Sequence, residues 1–192
     1  LSAAVSAPAD TVAAGRGLIA RVLPEKAALF TLEEIPQESG RDVFEIEGGG
    51  GTVTLRGSSG VAVASALNWY LKHHCHANVS WRGTQTALPD PLPAVSPKVR
   101  KATPLDWRYC FNYCCFSYSL AWWDWAEWER IIDWMAMNGV NMPLAVTGQE
   151  SVWQEVGKSF GLTQADLDAF FVGPAYLPFG WMGCMDGWGG PL

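Results

Sequence analysis

The chain has 192 residues, 49% hydrophobic and 17% charged, and a formal net charge of -6. That apolar content suits a packed core rather than a disordered chain, and the acidic balance argues against a nucleic-acid partner, which needs a basic stripe. No apolar run approaches the roughly 18–20 residues of a membrane span, and residues 1–15 lack the basic segment and apolar core of a signal peptide, so none is visible.

In chain order, residues 11–23 carry a helical apolar pattern, and residues 28–35 and 43–47 read as strands. Gly48-Gly49-Gly50-Gly51 then turns the chain into Thr52-Val53-Thr54-Leu55, a hairpin; a phosphate-binding loop would need a following Gly-Lys-Ser/Thr. Ser58 or Ser59 caps a helix running to about His74, with Val63, Leu67, Tyr70 and His74 on one side. Ala77 to Trp81 reads as a short last strand. All three His lie in His73-His74-Cys75-His76. The favoured reading is a helix C-terminus, where imidazoles are at home, over a metal site, because no second ligand cluster accompanies them. Asn78-Val79-Ser80 is the one glycosylation sequon. Five cysteines at irregular spacing make no disulfide framework.

Residues 88–97 form a Pro-rich connector. Residues 1–98 hold two Trp and residues 107–192 hold nine. The expected organisation is a small α/β domain over 1–98, a linker over 99–106, and a second domain over 107–192. In that second part, Trp107 to Asn112 reads as a short strand and Asp124 to Met137 as a helix. Asp124 with Glu127 resembles a capping box with Asp in the Ser/Thr role. Trp128, Ile131, Ile132 and Met135 share the core-facing stripe, and Asn138-Gly139 supplies the C-cap. Val140 to Val146 is an apolar run without alternation, as in a strand buried on both faces, with Pro143 marking a bulge or break. A helix starts at Thr147-Gly148-Gln149-Glu150 and carries Val152, Trp153, Val156 and Phe160. Thr163 caps a third helix, Gln164 to Phe171. Strand, loop and helix repeated around a buried parallel strand is the start of a βα barrel. About 250 residues make a full barrel, so the expected fold class is α/β: a small N-terminal α/β domain followed by the first βα units of an incomplete (β/α)8 TIM barrel.

In such barrels chemistry sits at the C-terminal ends of the strands. Here those ends lead into a 12-residue loop, Asn112 to Trp123, and into Thr147 to Glu150. Aromatic faces among amide and hydroxyl groups suit a carbohydrate. Glu150 is the one carboxylate clearly at a strand end. The favoured role for it is at the N-terminus of its own helix, since a glycosidase needs two flanking carboxylates and no second one matches it. Cys114-Cys115 has no thiol-protease context.

The segments Trp122-Trp123-Asp124-Trp125, Trp128-Glu129-Arg130, Ile132-Asp133-Trp134-Met135-Ala136, Asn138-Gly139-Val140-Asn141, Thr147-Gly148-Gln149-Glu150 and Gly173-Pro174-Ala175 together resemble the α-N-acetylglucosaminidases of glycoside hydrolase family 89. Upstream, Gly48 to Gly51, Arg56-Gly57-Ser58-Ser59-Gly60-Val61 and Trp69-Tyr70-Leu71 match the same family's leading domain. The resemblance covers about residues 10–192. It implies a retaining exo-glycosidase that releases terminal α-linked N-acetylglucosamine from glycans without a metal or organic cofactor. In animals the family's substrate is heparan sulfate in the lysosome, so a lysosomal, vacuolar or secreted location is implied. It places both catalytic glutamates beyond residue 192. The family's pocket-lining Asn and Cys fall on Asn112 and Cys114, and its pocket-lining Trp and Met fall on Phe179 and Met182. The turn at Gly189-Gly190-Pro191-Leu192 and the Leu at position 1 lead us to expect a piece of a longer protein. Alone, it is expected to be inactive. The competing readings are a non-catalytic, diverged carbohydrate-binding homologue and another hexosaminidase-type glycosidase.

Overall fold

The computed structural model describes residues 10–171, 173, 178 and 179. Among them the chain forms two compact units, Leu1–Arg108 with Glu129–Met142, and Tyr109–Trp128 with Pro143–Leu192.

The first unit opens with helix α1 (Thr11–Val22), whose N-cap Asp10 accepts hydrogen bonds from the N–H groups of Val12 and Ala13. The following strands are β1 (Phe30–Glu34), β2 (Val43–Gly49) and β3 (Thr52–Gly57), then helix α2 (Gly60–His73). β2 and β3 pair antiparallel through the glycine turn, where Gly50 and Gly51 both have positive φ, the conformation that a tight hairpin demands. β1 joins β3 in parallel. Of the two serines offered as the cap of α2, Ser59 accepts from the N–H of Ala62, while Ser58 accepts from the N–H of Val43.

Asn78–Val79 (β4) is a strand, as its sequence suggests, but it pairs with Thr84–Gln85 (β5) and is not the last of this unit. Val95–Ala102 (β6) lies antiparallel against β2, giving the sheet order β1-β3-β2-β6. Residues 99–102, read from sequence as linker, thus belong to the sheet, and so does the end of the Pro-rich connector. Val95 and Val99 supply the apolar positions, and the register shifts between Ile46 and Gly48, where Pro97 lacks an N–H for the ladder.

α1 and α2 pack on the apolar face of this sheet. Their contact is close because Gly15 has no side chain: a Cβ there would meet Val63 Cγ1 at 2.7 Å. Ile46, Leu55, Val63, Leu67, Tyr70 and Leu71 are fully buried in the core. The opposite face carries ion pairs across the strands. Arg56 binds Glu33 and Glu47, and Glu45 binds Lys98 and Arg100. The three histidines continue the C-terminal end of α2, where His73 packs on Trp69 and His74 stacks on Tyr70.

Helix α4 (Trp125–Met137) ends in this unit. Ile131, Asp133, Met135 and Met137 are buried, whereas Ile132, expected on the core stripe, is 45% exposed. Asn68 of α2 donates to the Met137 carbonyl at 2.9 Å, and Arg108 donates to the Gly139 and Leu105 carbonyls and to Asp42.

The second unit contains strand β7 (Tyr109–Cys110), helix α3 (Tyr113–Tyr118), the first turn of α4, strand β8 (Met142–Pro143) where it enters the unit, and helices α5 (Gln149–Ser159) and α6 (Gln164–Phe170). β7 and β8 form a two-stranded sheet. The N–H of Met142 donates to Arg108 and that of Leu144 to Cys110, at 3.2 and 3.0 Å; both partners advance in the same direction, so the pairing is parallel. The strands are shorter than the apolar runs suggest. Pro143 interrupts one, Phe111 leaves extended geometry at φ +76°, and Met142 and Pro143 are exposed, so among the described residues Val140 to Val146 is not buried on both faces. The caps of α4 and α6 form as the sequence indicates. Asp124 and Glu127 close the reciprocal box, and Thr163 does so with Asp166.

Candidate functional site

Two of the residues singled out by sequence, Asn112 and Cys114, lie just after the end of β7. The first local feature there is Phe111, buried and with a φ of +76°. A bulky side chain in that region is strained, and the strain is held by packing: Phe111 meets Phe116 at 5.7 Å and Trp128 at 6.4 Å, both edge-on. Trp128 also stacks on Phe116 and takes Trp123 against its face. Thus Trp123 and Trp128 serve this aromatic core, while Trp122 and Trp125 are 74% and 67% exposed.

The strained turn delivers the chain into α3, in what the sequence suggested was an irregular loop. Asn112 is the N-cap, its Oδ1 accepting from the N–H of Cys115 at 3.0 Å. That fixes the amide: Oδ1 is spent on the helix, and the Nδ2 donors have no protein acceptor among the described residues. Phe116 and Leu120 follow the cap at intervals of four and are both 2% exposed. The other face of α3 is exposed and carries Cys114 and Tyr118. Asn112 and Cys114 therefore open and continue one helix rather than sharing one face of an extended strand.

Phe179 meets the ring of Tyr118, centroids 5.7 Å apart and planes at 73°. Met182 lies outside the described residues. Tyr118 was not singled out from sequence. The signal was there, an exposed aromatic four residues after Cys114, but it appears only once the segment is seen as a helix.

A cleft of about 60 Å³ runs beside α3, lined by Phe116, Leu120, Trp123, Val146, Thr147, Glu150 and Pro178. Glu150 stands in the first turn of α5, whose N-cap is Gly148 at φ +88°, a position where a carboxylate complements the helix dipole. Among the described residues it is the one carboxylate lining this cleft. The neighbouring Cys110 thiol is pushed up mainly by burial, against a hydrogen bond from the Phe111 backbone, so it is no ready nucleophile. The first unit contains a larger cleft of about 330 Å³, lined in part by Asp42 and Arg108. Those charges already bind each other. Burial pushes the Asp42 carboxyl up, but hydrogen bonds from Ser59, Arg108 and Ser58 outweigh it and leave it below its ordinary value. Among the described residues no three His, Cys, Asp or Glu side chains converge as a metal site would require.

The groups around α3 are an amide donor on Asn112, an exposed Cys114, aromatic rings and the Glu150 carboxylate in the first turn of α5. Residues 13–94 match the alpha-N-acetylglucosaminidase (NAGLU) N-terminal domain, and residues 108–192 match the alpha-N-acetylglucosaminidase (NAGLU) tim-barrel domain. The human protein named alpha-N-acetylglucosaminidase is 49% identical over 189 residues, which is 96% of this chain and 25% of that protein. A family 89 glycoside hydrolase from Clostridium perfringens, solved with 2-acetamido-1,2-dideoxynojirmycin, superposes with a TM-score of 0.89 at 38% identity, covering 95% of this chain and 21% of that one. The same values hold for the Clostridium perfringens enzyme carrying two glutamate-to-glutamine substitutions, in complex with its substrate GlcNAc-alpha-1,4-galactose. The chain thus spans about a quarter or less of the length of these relatives.

Proposed function

The chain belongs to the α-N-acetylglucosaminidase family, glycoside hydrolase family 89, and from that premise we propose that its parent protein hydrolyses terminal α-linked N-acetylglucosamine from glycans with retention of configuration. The observation that carries this reading is the 49% identity to the human enzyme over 189 residues, running through both the leading domain and the start of the barrel. The segment through β6 serves as the small leading domain and residues 107–192 as the opening of the catalytic barrel, with the family's lysosomal, vacuolar or secreted setting.

Retaining hydrolysis uses two carboxyl groups about 5–5.5 Å apart, one as nucleophile and one as acid and then base. This chain supplies neither. Its part is to hold the sugar. The Nδ2 of Asn112, freed by the capping role of Oδ1, donates to a sugar oxygen. Cys114 offers a small polarisable contact, and Phe179 an apolar ring beside it; Met182 completes the set by family correspondence. Glu150 acts on its own helix. Because binding groups without a nucleophile do not break a glycosidic bond, residues 1–192 alone have no hydrolytic activity.

The test uses the full-length parent. Release from aryl α- and β-N-acetylglucosaminides is measured, and the anomer first formed is read by NMR. Turnover of the α-linked compound alone, with the α-anomer first, is expected. A preference for the β-linked compound would assign it to another hexosaminidase type; binding without turnover would make it a carbohydrate-binding homologue.

A further inference from the structure

We propose that Tyr118 is a substrate-contacting, specificity-determining residue whose ring packs against the apolar C–H face of the N-acetylglucosamine unit. The inference rests on the functional reading above and adds a residue to it.

Three observations lead there. α3 is a helix, so Cys114 and Tyr118, four residues apart, occupy the same face one turn from each other. That face is the open one, because Phe116 is buried. Tyr118 is 81% exposed among the described residues, so its ring takes no share in the core of this unit. Among the described residues its one ring contact is with Phe179, edge to face at 73°. Tyr118 therefore adjoins two residues that the family correspondence assigns to the sugar pocket, Cys114 through the helix turn and Phe179 through direct ring contact.

Two rings set nearly at right angles form a corner. Phe179 props the Tyr118 ring, which fixes its orientation at low entropic cost. A pyranose ring presents a flat set of C–H groups on one side and hydroxyls at its rim. Such a ring fits the corner with its C–H face on one aromatic plane. The phenolic O–H, both donor and acceptor, is then placed to reach a rim hydroxyl.

The experiment is run on the full-length parent with Tyr118→Ala, Tyr118→Leu and Tyr118→Phe. Each variant is assayed for kcat and KM on an aryl α-N-acetylglucosaminide, for inhibition by free N-acetylglucosamine, and for melting temperature. The expected result for Tyr118→Ala is a rise of about tenfold in both KM and the inhibition constant of the free sugar, the size of one well-formed aromatic contact. The melting temperature stays at the wild-type value, and Tyr118→Phe stays within about threefold of wild type. Tyr118→Leu keeps the bulk without the aromatic face and is read in place of Tyr118→Ala if that variant does not fold; it should show the same rise. Unchanged KM and inhibition constant in either would overturn the proposal. So would a lowered melting temperature with KM unchanged, which marks a structural residue, or a raised KM with sugar inhibition unchanged, which places Tyr118 on the leaving group. Inactive wild-type protein would instead sink the functional reading, so the two failures are distinguishable.

Discussion

Arg21, in the last turn of α1, grips the carboxylate of Asp133 with two parallel hydrogen bonds, Nε to Oδ2 and Nη2 to Oδ1, both 2.7 Å long. Asp133 is only 7% exposed and has no hydrogen-bond partner other than Arg21 among the described residues. The hydrogen bonding of Arg21 to the Asp133 carboxylate is the main reason the guanidinium is held above its ordinary value. Arg21→Lys keeps the charge but loses the planar fork, and Arg21→Ala leaves the carboxylate buried and unpaired. Because Arg21 itself is 43% exposed and screened, we expect Arg21→Ala to cost about 1–2 kcal/mol and Arg21→Lys less. Denaturant unfolding of the parent protein measures both.

The pair of Asp42 and Arg108 predicts acid sensitivity. The Asp42 carboxyl titrates below its ordinary value in the folded protein, so the folded state binds its proton less readily than the unfolded state. Its contribution to stability is therefore fully present above about pH 4, the unfolded value, and is lost as the pH falls through the depressed folded value. An Asp42→Asn variant should be less stable than wild type at pH 7, and the gap should narrow below pH 4. Unfolding curves collected from pH 7 to pH 2.5 give the comparison. A gap that stays constant with pH would mean that the charge on Asp42 is not what the pair contributes.

Gly57 closes β3 directly beneath α2. A Cβ there would lie 2.5 Å from the backbone N of Val63 and 2.9 Å from the carbonyl carbon of Ala62. Backbone cannot swing aside as a long side chain can, so Gly57→Ala must push the helix off the sheet. The expected cost is about 1–3 kcal/mol, the range for overpacking, with a matching fall in melting temperature. Gly49→Ala, with nothing within 4 Å of the added carbon, is the control and should be much milder.

Asn112 holds two roles that different substitutions separate. Asn112→Asp keeps an oxygen for the N–H of Cys115, and its charge suits a helix start, so folding should be unaffected. It replaces the outward-facing N–H donors with an acceptor. In the full-length enzyme kcat/KM should then fall by the equivalent of about 1–3 kcal/mol with no change in melting temperature. A stability loss without a kinetic one would reduce Asn112 to a helix cap.

Glu150 is the matching negative. Glu150→Gln removes its charge while preserving its shape. If the side chain serves its helix start, kcat in the full-length enzyme should remain within a few-fold of wild type, and stability should drop by about 0.3–1 kcal/mol. A loss of several orders of magnitude in kcat would make Glu150 part of the catalytic apparatus.

The helices were legible where a cap and an apolar stripe agreed, as at Ser59, at Asp124 with Glu127 and at Thr163 with Asp166. The hairpin was legible because consecutive glycines permit little else. α3 was not. Its cap, Asn112, was in plain view, but Tyr, Cys, Phe and Ser are indifferent helix formers, and six residues are too few to show a period. β6 was hidden by its prolines, which argue for a connector although an outer strand can accommodate them. Ile132 follows the apolar period of α4 and is nevertheless exposed, since spacing alone does not say how wide the covered stripe is. Of the residues proposed to hold the sugar, Asn112, Cys114 and Phe179 rest on family correspondence. Tyr118 came only from seeing which rings meet.

β6 has one more consequence. A sheet margin is a row of unpaired donors and acceptors that any extended peptide can extend. Along this margin Pro97 removes one donor outright, and Lys98, Arg100 and Lys101 follow within four residues. Glu45 and Trp69 draw Lys98 and Lys101 into contacts within the unit, which keeps the cationic side chains massed beside the open strand. An incoming β-strand would meet a missing donor at Pro97 and basic side chains already held in ion pairs and a ring contact. This margin of the leading unit is therefore poorly matched to an added strand.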